Sequence, residues 1–191
     1  MPYSKEHKQK SRESILQSAA KLFIARGFDN TSIDEIMGNA NMTRGAFYAH
    51  FANKGELYAQ AMLYASSNSL FVAPKPEHLS EKALVEKIVR GYLSLAHIEQ
   101  EMPCPAAFLV TDVANKDPLV RKTYTKIYKG MNKHLAHHAK HFSSCHADTI
   151  LAITAMMIGG VAIGRALDDP TTTKKLLNSC QKVAQTLLIP E

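Results

Sequence analysis

Apolar residues recur at helical spacing along almost the whole chain, and no stretch alternates apolar and polar residues for long enough to predict a strand. One face of the first segment carries Ile15, Ala19, Leu22 and Phe23. Gly27 follows the last turn of that segment, and most other glycines and prolines also lie between periodic segments. The pattern therefore predicts an all-α protein of about nine helices.

The composition is that of a folded globular chain. The 191 residues are 46% hydrophobic and 21% charged, which excludes disordered and collagen-like chains. Three cysteines cannot all pair within one chain, and this favours a reducing compartment. Residues 1–14 lack the apolar segment of a secretory signal, and the apolar stretch at 148–165 is short for a membrane span. We therefore expect a soluble, cytoplasmic protein that does not contact a membrane.

Two short helices joined by a tight turn follow the first helix. They cover about residues 32–39 and 44–49, and the turn lies at 38–42. Asn41 can hold the corner, because asparagine tolerates the left-handed conformation better than most residues do. Two short helices braced by a longer one are typical of a helix-turn-helix, which places its second helix in the major groove of DNA.

Capping residues precede both short helices. Ser32 with Glu35 has the spacing of a capping box, and Thr31 with the acidic Asp34 has the same spacing. Thr43 is the expected N-cap of the second short helix. These residues support the predicted starts of the helices and leave the choice between the first two pairs open.

The second short helix separates contact residues from anchor residues. Its first turn carries small or polar residues that a major groove can admit: Thr43, Arg44, Gly45 and Ala46. Phe47 and Phe51 can anchor the opposite face against the first two helices. Tyr48 and His50 lie toward the flank, where they can reach phosphate. Lys54 lies in the first turn of the next helix, where free amides and the helix dipole favour a phosphate.

Three runs, residues 27–36, 42–51 and 53–57, together resemble the DNA-binding domain of TetR-family transcriptional regulators. The resemblance implies an all-helical homodimer with a C-terminal ligand-binding domain. It also implies a repressor that a small-molecule effector releases from double-stranded operator DNA. By position, it implies base or backbone contacts from residues 43–46.

The same resemblance implies phosphate contacts from Tyr48, His50 and Lys54, and places Thr31 or Ser32 at the edge of the groove. Ala46 stands where the family commonly has Ser or Thr. Recognition therefore depends more on Arg44 and on contact between Ala46 and a thymine methyl group.

We assign residues 1–53 to the helix-turn-helix domain and residues 54–191 to a helical effector-binding and dimerisation domain. In the second domain, the helix at about 147–167 is rich in small residues, and the last helix, at about 172–188, has an apolar face. Two copies of this helix pair could form a four-helix dimer interface. The alternative is a core within one chain.

An effector pocket should be mostly apolar with a few polar groups. The candidate lining residues are Tyr92, His97, Met102, Cys104, Phe108, Tyr124 and Tyr128, with Met131 beside them. Cys104 lies between two prolines, so its thiol is expected to face a cavity or solvent. An exposed thiol of low pKa would sense oxidants or electrophiles, which is the alternative function, whereas a packed thiol would be inert.

A histidine-rich segment lies on a lysine-rich helix. His134, His137, His138 and His141 include two pairs at the i, i+4 spacing of metal ligands. Residues 116–146 hold seven Lys or Arg and one Asp, so a solvated basic face is the expected role. A metal-dependent enzyme is the less favoured alternative, because no zinc-hydrolase motif accompanies the histidines. We therefore expect no metal, no cofactor and no enzymatic activity.

Overall fold

The computed structural model describes residues 5–67, 69 and 71–188, and this part of the chain is helical without strands. The helices are α1 (Lys5–Arg26), α2 (Ile33–Asn39), α3 (Arg44–Tyr48), α4 (Lys54–Ser67), α5 (Glu81–Tyr92), α6 (Leu95–Glu99), α7 (Pro105–Phe108), α8 (Val110–Val113), α9 (Pro118–Ala139), α10 (Ala147–Ala166) and α11 (Pro170–Leu188). The all-α prediction is confirmed.

The described residues form eleven helices rather than nine, because two predicted helices are each divided. The first division follows α5, where Ser94 caps α6 by accepting a hydrogen bond from the amide of His97. The Ser94 hydroxyl also donates to the carbonyl of Gly91 at 2.7 Å. These side-chain bonds compete with the helical backbone pattern. The second division lies at Leu109, between α7 and α8.

The first three helices share a core that determines where α3 lies. Phe23, Ile36 and Phe47 are fully buried, and Phe51 is nearly so. The Ser18 hydroxyl donates to the carbonyl of Ile36 at 2.8 Å and links α1 to α2. The predicted anchoring of α3 by its phenylalanines is therefore confirmed.

Both features predicted for the turn region are present. Ser32 and Glu35 form the capping box of α2, with each side chain bonded to the other residue's backbone amide. The alternative pair is wrong, because the Thr31 hydroxyl donates to the carbonyl of Gly27 at 2.9 Å instead of capping. Asn41 has a φ of 55°.

α4 connects the two predicted domains, because it packs against both α1 and α9. It ends at Ser67, earlier than the predicted end near residue 72, although residues 68 and 70 lie outside the described part. Because α4 contacts helices of both predicted domains, a displacement of the C-terminal helices can be transmitted to α1. The division at residues 53 and 54 stays a prediction.

α10 packs closely against its neighbours. A Cβ at Gly164 would lie 2.9 Å from Cδ1 of Ile98, so this glycine permits a close approach of α6. By length and composition alone, α10 could cross a membrane, but 44% of its most apolar window is buried, and it packs against α7, α9 and α11. Its inner face therefore belongs to a protein core.

The left-handed backbone at Asn41 generates a prediction about stability. Replacing Asn41 with Ala should lower the free energy of unfolding by about 1 kcal/mol, because alanine is strained in this region. Asn41→Gly should avoid that strain, since glycine adopts the conformation freely. The control is Gly38→Ala, where a Cβ would meet nothing within 4 Å. Urea denaturation followed by circular dichroism measures all three, and equal stability of the Ala and Gly variants at position 41 would contradict the prediction.

Candidate nucleic-acid interface and effector cavities

The first turn of α3 is presented outward. We call Thr43, Arg44, Gly45 and Ala46 the α3 edge. The first three are exposed, and Ala46 is half-buried. The Thr43 side chain forms no cap hydrogen bond, although Thr43 occupies the N-cap position as predicted. A Cβ at Gly45 would find its nearest neighbour at 3.9 Å, so nothing in the described chain covers this position.

Arg44 is held in place by an exposed ion pair. Its Nη1 donates to Oδ2 of Asp34 on α2 at 2.8 Å. A hydrogen bond with Tyr48, followed by the charge of Asp34, raises the pKa of Arg44. Exposed ion pairs contribute about 0–1 kcal/mol, so Arg44 can exchange Asp34 for another partner at little cost. The sequence analysis did not identify Asp34 as the residue that orients Arg44.

Three predicted phosphate contacts flank the α3 edge with different exposure. Tyr48 is 59% exposed. His50 is half-buried and its Nδ1 has no hydrogen-bond partner; burial, then Lys8 and Arg12, lowers the pKa of His50. The ammonium of Lys54 lies 4.2 Å from the centre of the Phe28 ring, and burial lowers the pKa of Lys54.

Two predicted DNA contacts require correction. Thr31 is 1% exposed and its hydroxyl is bonded within the chain, so a groove contact from its side chain is wrong. Ser32 is exposed and keeps the position at the groove edge. Ala46 packs partly against the core, so only part of its methyl group remains for a thymine.

A polar junction joins the first three helices to the C-terminal helices. Asp112 on α8 accepts hydrogen bonds from the amide of Phe28, at 3.1 Å, and from the hydroxyl of Tyr58. Lys116 donates to Asp29 at 2.6 Å, and its ammonium lies 4.9 Å from the Phe28 ring, which also contacts Lys54. Sequence analysis missed this junction. The only signal in the sequence was Asp112, an acidic residue that follows the apolar run at 106–110.

Among the cavities of the C-terminal helices, two are lined by residues that the sequence analysis predicted to bind the effector. The α9 cavity, of about 410 Å³, is lined by Leu63, Ser66, Ser69, Phe71, Val72, Cys104, Lys126, Ile127, Gly130, Met131, Lys133, His134 and His137. The Tyr92 cavity, of about 300 Å³, is lined by Ala65, Ser69, Gly91, Tyr92, Ser94, Ala96, His97, Gln100, Met102 and Cys104. Because both lists include Ser69 and Cys104, the two cavities are adjacent.

The structure gathers four of the predicted ligand-binding residues and separates three others from the cavities. Tyr92, His97, Met102 and Cys104 line the Tyr92 cavity, and Met131 lines the α9 cavity. Neither cavity is lined by Phe108, Tyr124 or Tyr128. Phe108 packs beneath the guanidinium of Arg165, and the Tyr124 hydroxyl donates to the carbonyl of Ala106 at 2.7 Å. For these three residues, effector binding stays a prediction.

Cys104 faces cavities, but it is not an acidic thiol. It is 3% exposed, and burial raises the pKa of Cys104. Thiolates, not thiols, react with oxidants, so the thiol-sensor alternative has no support in this environment. Nearby, Nε2 of His97 is buried without a hydrogen-bond partner. Burial lowers the pKa of His97 to about 4, so this ring is neutral at neutral pH.

The histidine-rich segment is not arranged as a metal centre. Among the described residues, no group of three or more His, Cys, Asp or Glu side chains is placed to hold a metal ion. His138 pairs with Glu81, whereas His134 packs against the rings of Phe71 and His138. The metal-dependent enzyme alternative therefore has no support in this geometry.

The first three helices match a known family. Residues 15–61 match the family model described as bacterial regulatory proteins, tetR family. The match spans the second half of α1, all of α2 and α3, and ends within α4. The resemblance expected from the sequence is therefore confirmed for the domain that carries the α3 edge.

Named relatives extend the similarity. The transposon Tn10 TetC protein of Escherichia coli is 31% identical over 53% of this chain and 56% of its own length. The AcrR regulator of Shigella flexneri is 38% identical over 34% of this chain, so the chain spans only 30% of that relative. The transcriptional repressor BepR of Brucella suis is 25% identical over 84% of this chain and 82% of its own length.

Solved structures share the whole fold. A TetR-family transcriptional regulator from Cytophaga hutchinsonii superposes with a TM-score of 0.78 at 18% identity, and 100% of both chains is covered. The reduced form of E. coli NemR superposes with a TM-score of 0.76 at 15% identity, covering 93% of this chain and 96% of that chain. The described helices therefore follow a known arrangement from end to end.

The Asp112 junction generates a prediction about stability. Asp112→Ala should lower the free energy of unfolding by about 2 kcal/mol, because the amide of Phe28 and the hydroxyl of Tyr58 lose their acceptor. Asp112→Asn should lose less, since it keeps an acceptor oxygen. Asp34→Ala is the control, because its exposed ion pair contributes at most about 1 kcal/mol. Chemical denaturation would contradict the prediction if Asp112→Ala cost no more than Asp34→Ala.

Proposed function

Because the chain carries a tetR-type DNA-binding domain, we propose that it is a dimeric transcriptional repressor that a small-molecule effector releases from operator DNA. The observation that carries the proposal is the α3 edge, which is exposed while Phe47 behind it is fully buried. The proposal includes a cytoplasmic location and the absence of enzymatic activity.

In the proposed complex, the α3 edge enters the major groove and the flanking residues bind phosphates. Arg44 exchanges its exposed partner Asp34 for a base edge or a phosphate. The position of α3 along the DNA is set by phosphate contacts from Tyr48, His50 and Lys54. Ser32 lies at the edge of the groove. His50, whose pKa is lowered, acts as a neutral hydrogen-bonding group.

Dimerisation through α10 and α11 completes the proposed repressor. Their outer faces carry large apolar side chains that are 41–54% exposed: Leu151, Ile163, Val183 and Leu187. A second copy of the chain is the proposed cover, because two DNA-binding domains must reach half-sites about 34–36 Å apart. Small residues on the exposed side of α10, such as Ala155, allow two helices to approach closely.

The Asp112 junction supplies a route from effector to DNA. Cys104, which lines both cavities, immediately precedes α7, and α8 follows with Asp112. A ligand that shifts α7 and α8 moves the acceptor of the Phe28 amide and the Tyr58 hydroxyl. Since the half-site spacing is constant, a change in the distance between the two domains weakens specific binding.

A gel-shift titration with the DNA upstream of the chain's own gene tests the proposal. We expect a saturable complex that survives excess random DNA, and dissociates when effector is added. Binding to random DNA with equal affinity would contradict a regulator and favour a non-specific role.

The two kinds of DNA contact predict different mutant behaviour. Arg44→Ala should weaken operator binding by about 1–3 kcal/mol and random DNA binding much less, because a base contact carries sequence information. Lys54→Ala should weaken both and reduce the slope of log K against log salt by about 0.9, because it removes one phosphate contact. Fluorescence anisotropy at several salt concentrations measures both effects.

Lys174→Ala is the control for those variants, since Lys174 is an exposed lysine on α11. It should leave both affinities unchanged. Equal losses from Arg44→Ala on operator and random DNA would overturn the assigned roles.

The proposed dimer face predicts a loss of association. Val183→Glu should raise the dimer dissociation constant by about 30-fold, because burying a carboxylate at an apolar centre costs at least about 2 kcal/mol. Leu119→Glu is the matched control, since Leu119 on α9 is as exposed as Val183, each at 49%. Sedimentation equilibrium measures both variants. A monomeric parent chain, or equal association of both variants, would contradict the proposed face.

A further inference from the structure

One face of α9 lines the α9 cavity with positively charged and polar groups. Lys126, Gly130, Lys133, His134 and His137 recur at helical spacing and all line the cavity. Gly130 lies in the middle, where a Cβ would meet nothing within 4 Å, so the space beside it is open. The basic face expected to be solvated is exposed at Lys126, Gly130, Lys133 and His137, and it also borders this solvent-open cavity.

The rest of the lining is mainly apolar. It consists of Leu63, Phe71, Val72, Ile127 and Met131, with Ser66, Ser69 and Cys104 beside them. A volume of about 410 Å³ lies within the range of small-molecule sites. The cavity therefore suits a ligand with a compact apolar body.

The charge at the cavity is of one sign. None of the lining residues is Asp or Glu. The nearby Glu81 is held by His138 and lies 3.9 Å from Lys75. Cys104 is a neutral thiol, because burial raises its pKa. Lys126 and Lys133 therefore supply the charge that a ligand meets.

The histidines add a hydrogen-bonding group. Nε2 of His134 is buried without a partner. Burial, then His138 and His137, lowers the pKa of His134, and Lys140 is the main cause that lowers the pKa of His137. Both rings are therefore mainly neutral at neutral pH, and a polar ligand atom could satisfy the unpartnered nitrogen of His134.

We propose that the α9 cavity binds an amphipathic anion, with its apolar body between α4 and α9 and its carboxylate near Lys126 and Lys133. This ligand class complements the apolar walls, the two ammonium groups, the absence of lining carboxylates and the unpartnered His134 nitrogen. An organic cation would meet like charge, and a wholly polar anion would leave the apolar walls unfilled. Ligand binding at this cavity does not depend on the proposed function; only the expected release of operator DNA by the ligand does.

Isothermal titration calorimetry of the DNA-free full chain tests binding directly. The probes are decanoate and 4-phenylbutyrate, each compared with the alcohol of the same carbon skeleton. We expect each carboxylate to bind about tenfold more tightly than its alcohol, because the alcohol has no charge for the lysines. Equal affinity of the carboxylates and alcohols, or no binding of either carboxylate, would overturn the inference.

Two sets of variants locate the site. Replacing Lys126 and Lys133 together with Gln should weaken carboxylate binding by about tenfold and leave alcohol binding unchanged. The matched control replaces Lys122 and Lys129 with Gln; both lie on α9, are exposed and do not line the cavity. Gly130→Leu should block both probe types by filling the space while improving helix propensity. Equal effects of the two lysine pairs would place the anion elsewhere and refute the proposal.

Release of operator DNA by the same carboxylates separates this inference from the proposed function. Binding at the α9 cavity without release would support the ligand class and contradict effector control through this cavity. Release that persists in the Gly130→Leu variant would overturn the α9 cavity as the effector site and leave the repressor proposal standing.

Discussion

The burial of one side of α3 is the constraint on which the rest of the molecule depends. A helix of five residues, Arg44–Tyr48, cannot persist alone, because helix nucleation is unfavourable and short helices gain few hydrogen bonds. Phe47 inserts into the core of α1 and α2, and Phe51 follows just after the helix. Because these two rings face the core, the α3 edge on the opposite side of the helix faces solvent. The same packing that stabilises the helix therefore determines which atoms DNA could meet.

The second determinant is the junction between the first three helices and the C-terminal helices. Phe28 is stacked near Phe23 and Tyr58, and the ammonium groups of Lys54 and Lys116 approach its ring. Lys54 thus connects two proposed roles, since it is a predicted phosphate contact and also part of the junction. A change in α8 that displaces Asp112 would alter both the orientation of the domain and the surroundings of this lysine.

The C-terminal helices combine a packed core with two adjacent cavities, and Cys104 lies where the cavities meet. Its environment shows why sequence alone could not decide between a reactive and an inert thiol. Flanking prolines predict a break in the helix correctly, because proline lacks the backbone donor. The thiol pKa depends on burial, and burial depends on which residues distant in sequence, such as Tyr92, come next to Cys104. The bonding of Tyr124 to the carbonyl of Ala106 and the packing of Phe108 against Arg165 are likewise invisible in the linear chain.

The sequence by itself determined the helical class, the left-handed corner at Asn41 and the position of the α3 edge. Each of these depends on residues within a few positions of one another, so local propensity and periodicity suffice to define them. Only the tertiary structure decided that Thr31 points inward, that Asp112 joins the two parts, and that Lys126 and Lys133 border a cavity. Those outcomes depend on which faces of distant helices meet, and packing between helices can override what a single helix face suggests.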